Sequence, residues 1–563
     1  MAAPRTREVS VLAQDPGVRH DGRILTARVA VPWEELDAGP IGHRVQVVDY
    51  DASTQTLYRP APVTDEAFAA PADDAAVLED PAFHARNAYA LVMRTVARFE
   101  YALGRRVAWG FPAHQLKVVP HAFEEPNAFY SREAQALLFG YYRGPDGLSF
   151  TGLSHDIVVH ETAHALLDGL RGRFMAPSSP DQAAFHEAFA DLVALLSVFS
   201  LDDVLRHLVD RDAGASGLVR KDRVTAERLS QGVLLGLADE MKLDADVARV
   251  NALRRSIALE PAADLLDRPE FEDPHRRGEV LVAAVMRAFV DAWTRRLASL
   301  GTIQGRYLDA DRVAEEGATI ADVLLTMAIR ALDYTPPIHV EFSDYLSALL
   351  TADSEVRPSD ERYGLRQGLL DWFARYGIAP ASKRPDGLWR RPSHRLADDG
   401  VRFGSLQTDA IEMFRLIWAN RRALRIDPTA YTRVASVRPC VRTSPDDGLP
   451  LRETVAECLQ YVSFPASELG RYGLEPPAGM PGDTEVALEG GSTLVLDEYG
   501  RLKYEVYQRL PGQGGGNTRR AQARLDYLWE SGHFHAGSSF AARLAAIHRL
   551  RAGEDAVDRS EVW

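Results

Sequence analysis

Residues 155–199 constrain this chain more than any other stretch. They read HDIVVHETAHALLDGLRGRFMAPSSPDQAAFHEAFADLVALLSVF. Apolar residues recur at helical spacing on both sides of a loop rich in Pro, Ser and Gly, which predicts two joined helices. Metal-competent side chains sit on both: His160, Glu161 and His164 on the first, Glu187 and Asp191 on the second. The pattern reads as a zinc site with a built-in general base.

The spacing gives each residue a role. In HETAH the two histidines are four apart, so on a helix they stack on one face and reach one ion. Glu161 points to the adjacent flank, beside a metal-bound water. A catalytic zinc takes three protein ligands and keeps one position for water. Glu187 lies 23 residues past His164, after a loop long enough to reverse direction, and is the expected third ligand. Asp191, one turn on, is expected to accept a hydrogen bond from a ligand imidazole and fix its tautomer. His186 is expected to do similar work for the other histidine. Two histidines and a glutamate, with no thiolate, point to one catalytic zinc.

Length and composition bound the rest. A chain of 563 residues implies two or three domains. At 46% hydrophobic and 26% charged it is globular. A net charge of −15 gives nucleic-acid binding no global support. Two cysteines, Cys440 and Cys458, exclude a disulfide scaffold and are expected to be buried thiols. No run of about 18 apolar residues predicts a membrane span, and no apolar segment opens the chain as a secretory signal. A cytoplasmic location is the expectation.

The coarse pattern is α+β. Residues 1–20 read as a loose leader. Strands are expected at 24–33 and 44–50, a helix at 81–103, and an edge strand at 135–142. Helices follow at 222–241, 278–300, 320–332, 341–351 and 362–376. A Pro- and charge-rich break at 378–394 marks a boundary. Beyond it come a helix at 406–420, a hairpin turning at 498–501, and helices at 519–530 and 539–550. The domains are thus a β-rich lobe over 20–154, a helical lobe over 155–379 and an accessory α+β domain over 395–563. Residues 533–535 read HFH, and an isolated pair of this kind is usually surface histidine. GQGGGN lacks the Lys of a phosphate loop and reads as a linker.

The pattern HETAH followed by HEAFAD resembles the thermolysin-like gluzincin metallopeptidases. The likeness extends to Asn127-Ala128-Phe129-Tyr130, to Asp273-Pro274-His275 and to RALDYTPPIHVEFSDYLSALL, and spans about residues 24–378. It implies a two-lobed catalytic domain that hydrolyses peptide bonds on a zinc-activated water. Glu161 would be the base, and His275 would bond the oxyanion. Asn127, Ala128 and Tyr130 would hold the substrate backbone. A peptide or protein is the implied substrate, and a protein partner for the C-terminal domain is a further reading. Two features depart from the family. The loop LRGRFMAPSSPDQ holds no tyrosine, for which Arg171 or Arg173 are the substitutes at hand. Asp156 matches a calcium ligand, but Val198 and Phe199 stand where its partner carboxylate belongs, so a complete calcium site is not expected. The family's aminopeptidase branch carries another segment where NAFY stands, which favours internal cleavage. The reading from another class is an inactive scaffold working through its C-terminal domain.

Overall fold

Strands β1 (Thr6–Leu12) and β2 (Thr26–Pro32) pair antiparallel along their whole length. Val9 and Val11, with Val29 and Val31 opposite, are buried. The Asn87 side-chain oxygen accepts the Leu12 N–H at 3.0 Å. The expected loose leader is therefore corrected: EVSVLA alternates like a half-buried strand and pairs along its length. The computed structural model describes residues 5–17, 19–20, 23–70, 75–144, 147–176, 178–213, 216–230, 255–398, 400–445, 448–512 and 518–534. Its architecture is mixed α+β.

Helix α1 (Pro81–Leu103) follows strand β3 (Val45–Val47). Asp80 caps α1 by accepting the Ala82 and Phe83 N–H groups, and Pro81 suits its first turn. β4 (Leu116–Phe123), β5 (Ala128–Ser131), β6 (Ala136–Gly144) and β7 (Gly147–Phe150) complete a five-stranded sheet with β3. β6, expected at the edge over 135–142, is interior. It pairs with β4 in parallel and with β5 and β7 antiparallel on its other side. ALLFGYY is apolar on both faces, which suits a strand covered on both sides. The edge is β5 itself, which among the described residues pairs with β6 alone.

Helices α2 (His155–Leu170) and α3 (Pro180–Phe199) come next, and Ser179 caps α3 by accepting the Gln182 N–H at 3.1 Å. By length and composition α3 could cross a membrane, but 94% of its apolar window is buried inside this protein. It is the core helix, wrapped by α2, α4 (Pro274–Ala298) and α5 (Ala310–Ala331). α6 (Phe342–Val356) and α7 (Leu365–Arg375) follow where helices were expected. The helix expected over 222–241 is preceded by a tight turn at Lys221–Arg223; residues 226–230 are helical, and 231–241 lie outside the described residues.

The C-terminal part carries α8 (Ala410–Ala419), then the strands β8 (Tyr431–Thr443), β9 (Pro450–Pro465), β10 (Glu485–Asp497) and β11 (Leu502–Gln508), then α9 (Thr518–Glu530). The four strands form an antiparallel meander, and the hairpin turns at 498–501 as expected. The helix expected at 539–550, His535 and most of GQGGGN lie outside the described residues. Cys440 and Cys458 are buried free thiols, as expected.

This meander is not hung on a loose break. Within 378–394, Trp389 donates its backbone N–H to Thr351 and its ring N–H to the Tyr334 carbonyl, each at 2.8 Å. Val495 and Tyr504 belong to the main hydrophobic core. The end of α1 meets β8 so closely that a Cβ on Gly104 would lie 2.4 Å from the Val441 oxygen. Gly104 also adopts a positive φ of 67°, so glycine is required there twice over.

Candidate metal centre

The polar residues of α2 and α3 meet in the densest part of the core. His160, Glu161 and His164 have no solvent exposure, and His186, Glu187 and Asp191 are nearly as buried. The four-residue spacing on α2 brings the His160 and His164 rings to 4.4 Å, edge to face. His160 Nε2 lies 3.7 Å from one Glu187 oxygen, and His164 Nε2 lies 3.4 Å from the other. Direct N–H···O bonds cluster at about 2.7–3.2 Å. Two ligands each about 2.1 Å from a tetrahedral ion stand about 3.4 Å apart. The two separations from Glu187 are thus longer than direct hydrogen bonds and near the spacing of paired ligands. Ligand atoms of His160, Glu161 and His164 all lie within 4.8 Å of one another, as do those of His164, His186 and Glu187. These groups are close enough to hold a metal ion.

Their neighbours orient them. Asp191 Oδ1 sits 2.8 Å from His160 Nδ1. A proton held on Nδ1 directs the other ring nitrogen toward Glu187. Asp191→Asn is expected to weaken metal retention about 10–100-fold, measured by competition with a chelator. Unchanged affinity would show that this carboxylate does not set the imidazole. The His186 ring stacks on His164, with centroids 4.4 Å apart and planes 10° from parallel. That placement supports His164, and the second trio also makes His186 a candidate ligand.

Glu161 faces the sheet. Its Oε2 accepts the Tyr130 N–H at 3.0 Å, so the polar backbone of Tyr130 points away from β6 and toward α2. Asn127 fixes the start of β5, its side-chain oxygen accepting the Ala128 N–H at 2.9 Å. Ala128 and Tyr130 thus lie on an edge strand that touches the buried glutamate, and Asn127 immediately precedes it.

Sequence reasoning missed the clamp behind this edge. Asp168 lies one turn beyond His164, and its carboxylate accepts the Tyr130 hydroxyl at 2.9 Å and the Arg132 Nε at 2.7 Å. Burial and the Asp168 charge push the Tyr130 phenol well above its usual range. Its signal was the polar stripe 160, 164, 168 on an otherwise apolar helix. At the far end of the pair, His155 joins the Leu12 carbonyl and Ser197, tying α2 to β1 and α3. Burial, reinforced by Arg94, lowers its pKa to about 3, so it is a neutral structural group.

The other expected residues fall as follows. His275 lies half-buried in the first turn of α4, where Asp273 caps the helix. One turn on, Gly278 rests on Ala184 and Ala188 of α3, where a Cβ would come within 3.3 Å of both. Asp156 accepts the Ser154 hydroxyl at 2.6 Å, while Val198 and Phe199 are fully buried in the apolar core. Both loop arginines are engaged by other groups. Arg171 is buried and engages Glu457 and the Leu332 carbonyl. Arg173 pairs with Glu489 and lies over the Tyr461 ring. Both serve the C-terminal sheet. Comparison with protein-family models and with curated proteins finds no match for this chain.

Proposed function

We propose that this chain is a zinc-dependent metallopeptidase of the thermolysin-like gluzincin type, cleaving inside peptide chains. One observation carries the reading. Glu161 sits among the candidate ligands and is one hydrogen bond from the edge strand that would grip a peptide. In this reading His160, His164 and Glu187 hold the ion. The chemistry such an ion brings is Lewis acidity toward a carbonyl and a lowered pKa for water. β5 takes the substrate as an added strand, with Asn127, Ala128 and Tyr130 offering backbone groups without regard to side chains. Glu161 accepts a proton from the attacking water and returns it to the leaving amine. His275, on the helix packed against α3, donates to the carbonyl oxygen as it gains charge.

The test is metal analysis joined to a cleavage assay on the full chain. One equivalent of zinc and cleavage of peptides with blocked N-termini are expected. Glu187→Ala is expected to lose the ion, and full occupancy in that variant would place the third ligand elsewhere. Cleavage confined to free N-termini would move the chain to the aminopeptidase branch. A second reading, an inactive scaffold, is favoured by the commitment of Arg171 and Arg173 to the C-terminal sheet. Bound metal without cleavage of any member of a broad peptide library would support it.

A further inference from the structure

Tyr130 is held at both ends by one helix. Its backbone N–H donates to Glu161 at 3.0 Å and its hydroxyl to Asp168 at 2.9 Å, and both carboxylates stand on α2. They are seven residues apart, about two turns, so they share one face of the helix. That face meets β5. The strand itself is slight: it has four residues and, among the described residues, pairs with β6 alone. Its other side depends on what α2 offers.

Asp168 is fixed in its own right. Its side chain has no solvent exposure. Oδ2 accepts the Tyr130 hydroxyl and the Arg132 Nε, the latter at 2.7 Å, and Oδ1 accepts a second Arg132 nitrogen. The backbone of residues 108–110 presses on this turn of α2. A Cβ on Gly110 would collide with Asp168 Oδ2, and one on Gly169 with the Ala108 carbonyl oxygen. Only glycine allows so close an approach at either position.

Charge sets the direction of these bonds. A buried carboxylate needs a partner charge, and Arg132 supplies it through two nitrogens. Paired in this way Asp168 is an acceptor, so the Tyr130 hydroxyl donates to it. Arg132 directly follows Ser131, the last residue of β5. Two side chains from one short stretch, Tyr130 and Arg132, thus converge on a single carboxylate of the helix that carries His160, Glu161 and His164.

We propose that Asp168 is a positioning residue: acting through Tyr130, it sets how far the peptide-binding edge β5 stands from Glu161. It takes no part in the chemistry itself. The inference rests on the reading of Glu161 as base and of β5 as the strand that receives the substrate. Misplacing a reacting group by about 1 Å can cost about 100-fold in rate. Glu161 holds the backbone of Tyr130 and Asp168 holds the far end of its ring, so loosening the second bond lets the strand shift against the first.

Peptide-cleavage kinetics on the metal-loaded full chain test it. Tyr130→Phe, which removes a single oxygen, is expected to lower kcat at least about tenfold while KM changes less than about twofold. Metal content is expected to stay at the parent level. Asp168→Ala is expected to lower kcat at least as far, and the double variant no further than Asp168→Ala alone, because the two residues act as one unit. Circular dichroism checks that each variant folds, and the Tyr130→Phe result decides the matter by itself if Asp168→Ala does not. Undiminished kcat in Tyr130→Phe would overturn the proposal, as would a rise in KM alone, loss of metal, or additive losses in the double variant. A parent that cleaves while Tyr130→Phe is unimpaired sinks the positioning role alone. A parent that binds metal and cleaves nothing sinks the peptidase reading and this inference with it.

Discussion

Glu161→Gln is expected to lower peptide cleavage by about 10²–10⁴-fold while leaving bound metal unchanged. That loss corresponds to about 3–5 kcal/mol of barrier. Glutamine keeps the length of the side chain and an oxygen able to accept the Tyr130 N–H, so β5 stays where it is. What it cannot do is take a proton. The variant thus separates a chemical role from a packing role at a residue with no solvent exposure. The readouts are kcat/KM on a quenched fluorescent peptide and metal content on the same sample. Undiminished cleavage would remove Glu161 from the role of base. Loss of metal along with activity would show that it ligates, an arrangement its place in the trio with His160 and His164 allows.

The cluster was legible because its logic is local. Helical spacing alone predicts that His160 and His164 share a face, and one loop long enough to reverse brings Glu187 to them. The structure meets both expectations, at 3.7 and 3.4 Å. The edge strand was half legible. NAFY was singled out, but the following strand was taken for the edge, because pairing on the far side of β6 depends on β4, residues that periodicity within β6 does not mention. Of the clamp, only Asp168 was signalled, by the polar stripe of α2; its partners Arg132 and Tyr130 were not, since they reach it from 36 and 38 residues away. The leader was misread for a different reason. EVSVLA has the alternation of a strand, and only its position at the start of the chain made it look expendable.

The break at 378–394 was read from composition, and composition does not report docking. Proline and charge there suggested a loose tether, yet the C-terminal sheet joins the main core. What fixes it is a buried charge network that includes Arg442–Asp333 and Arg171–Glu457, pairs 109 and 286 residues apart in sequence. That network also holds Arg171, which engages Glu457 on β9.

The centre of this network is the second large expectation. Asp333 receives both Arg105 guanidinium nitrogens at 2.6 Å and also pairs with Arg442, which in turn pairs with Glu453. Arg442 has no side-chain exposure and Arg105 8%. Asp333→Ala leaves two buried cations without their shared carboxylate, and a loss of about 3–5 kcal/mol in unfolding free energy is expected. Adding Arg442→Met to that variant removes one of the stranded charges and is expected to restore part of the loss, a coupling that a double-mutant cycle in denaturant reads directly. The pH dependence follows from the sign of the shift. Burial alone would raise the Asp333 carboxyl, but Arg105 and Arg442 outweigh it and hold it well below the usual carboxylate range. A depressed native pKa stabilises the fold above the unfolded value of about 3.9, and that stability drains away as pH falls through the native value. Between pH 7 and 5 this group should therefore contribute no change, and its loss should appear only below about pH 4. In Asp333→Ala that acid-linked step should be missing, while the deficit at neutral pH persists. A variant as stable as the parent at pH 7, with an unchanged acid limb, would mean that the apolar contacts of Val495 and Tyr504 alone hold the sheet in place.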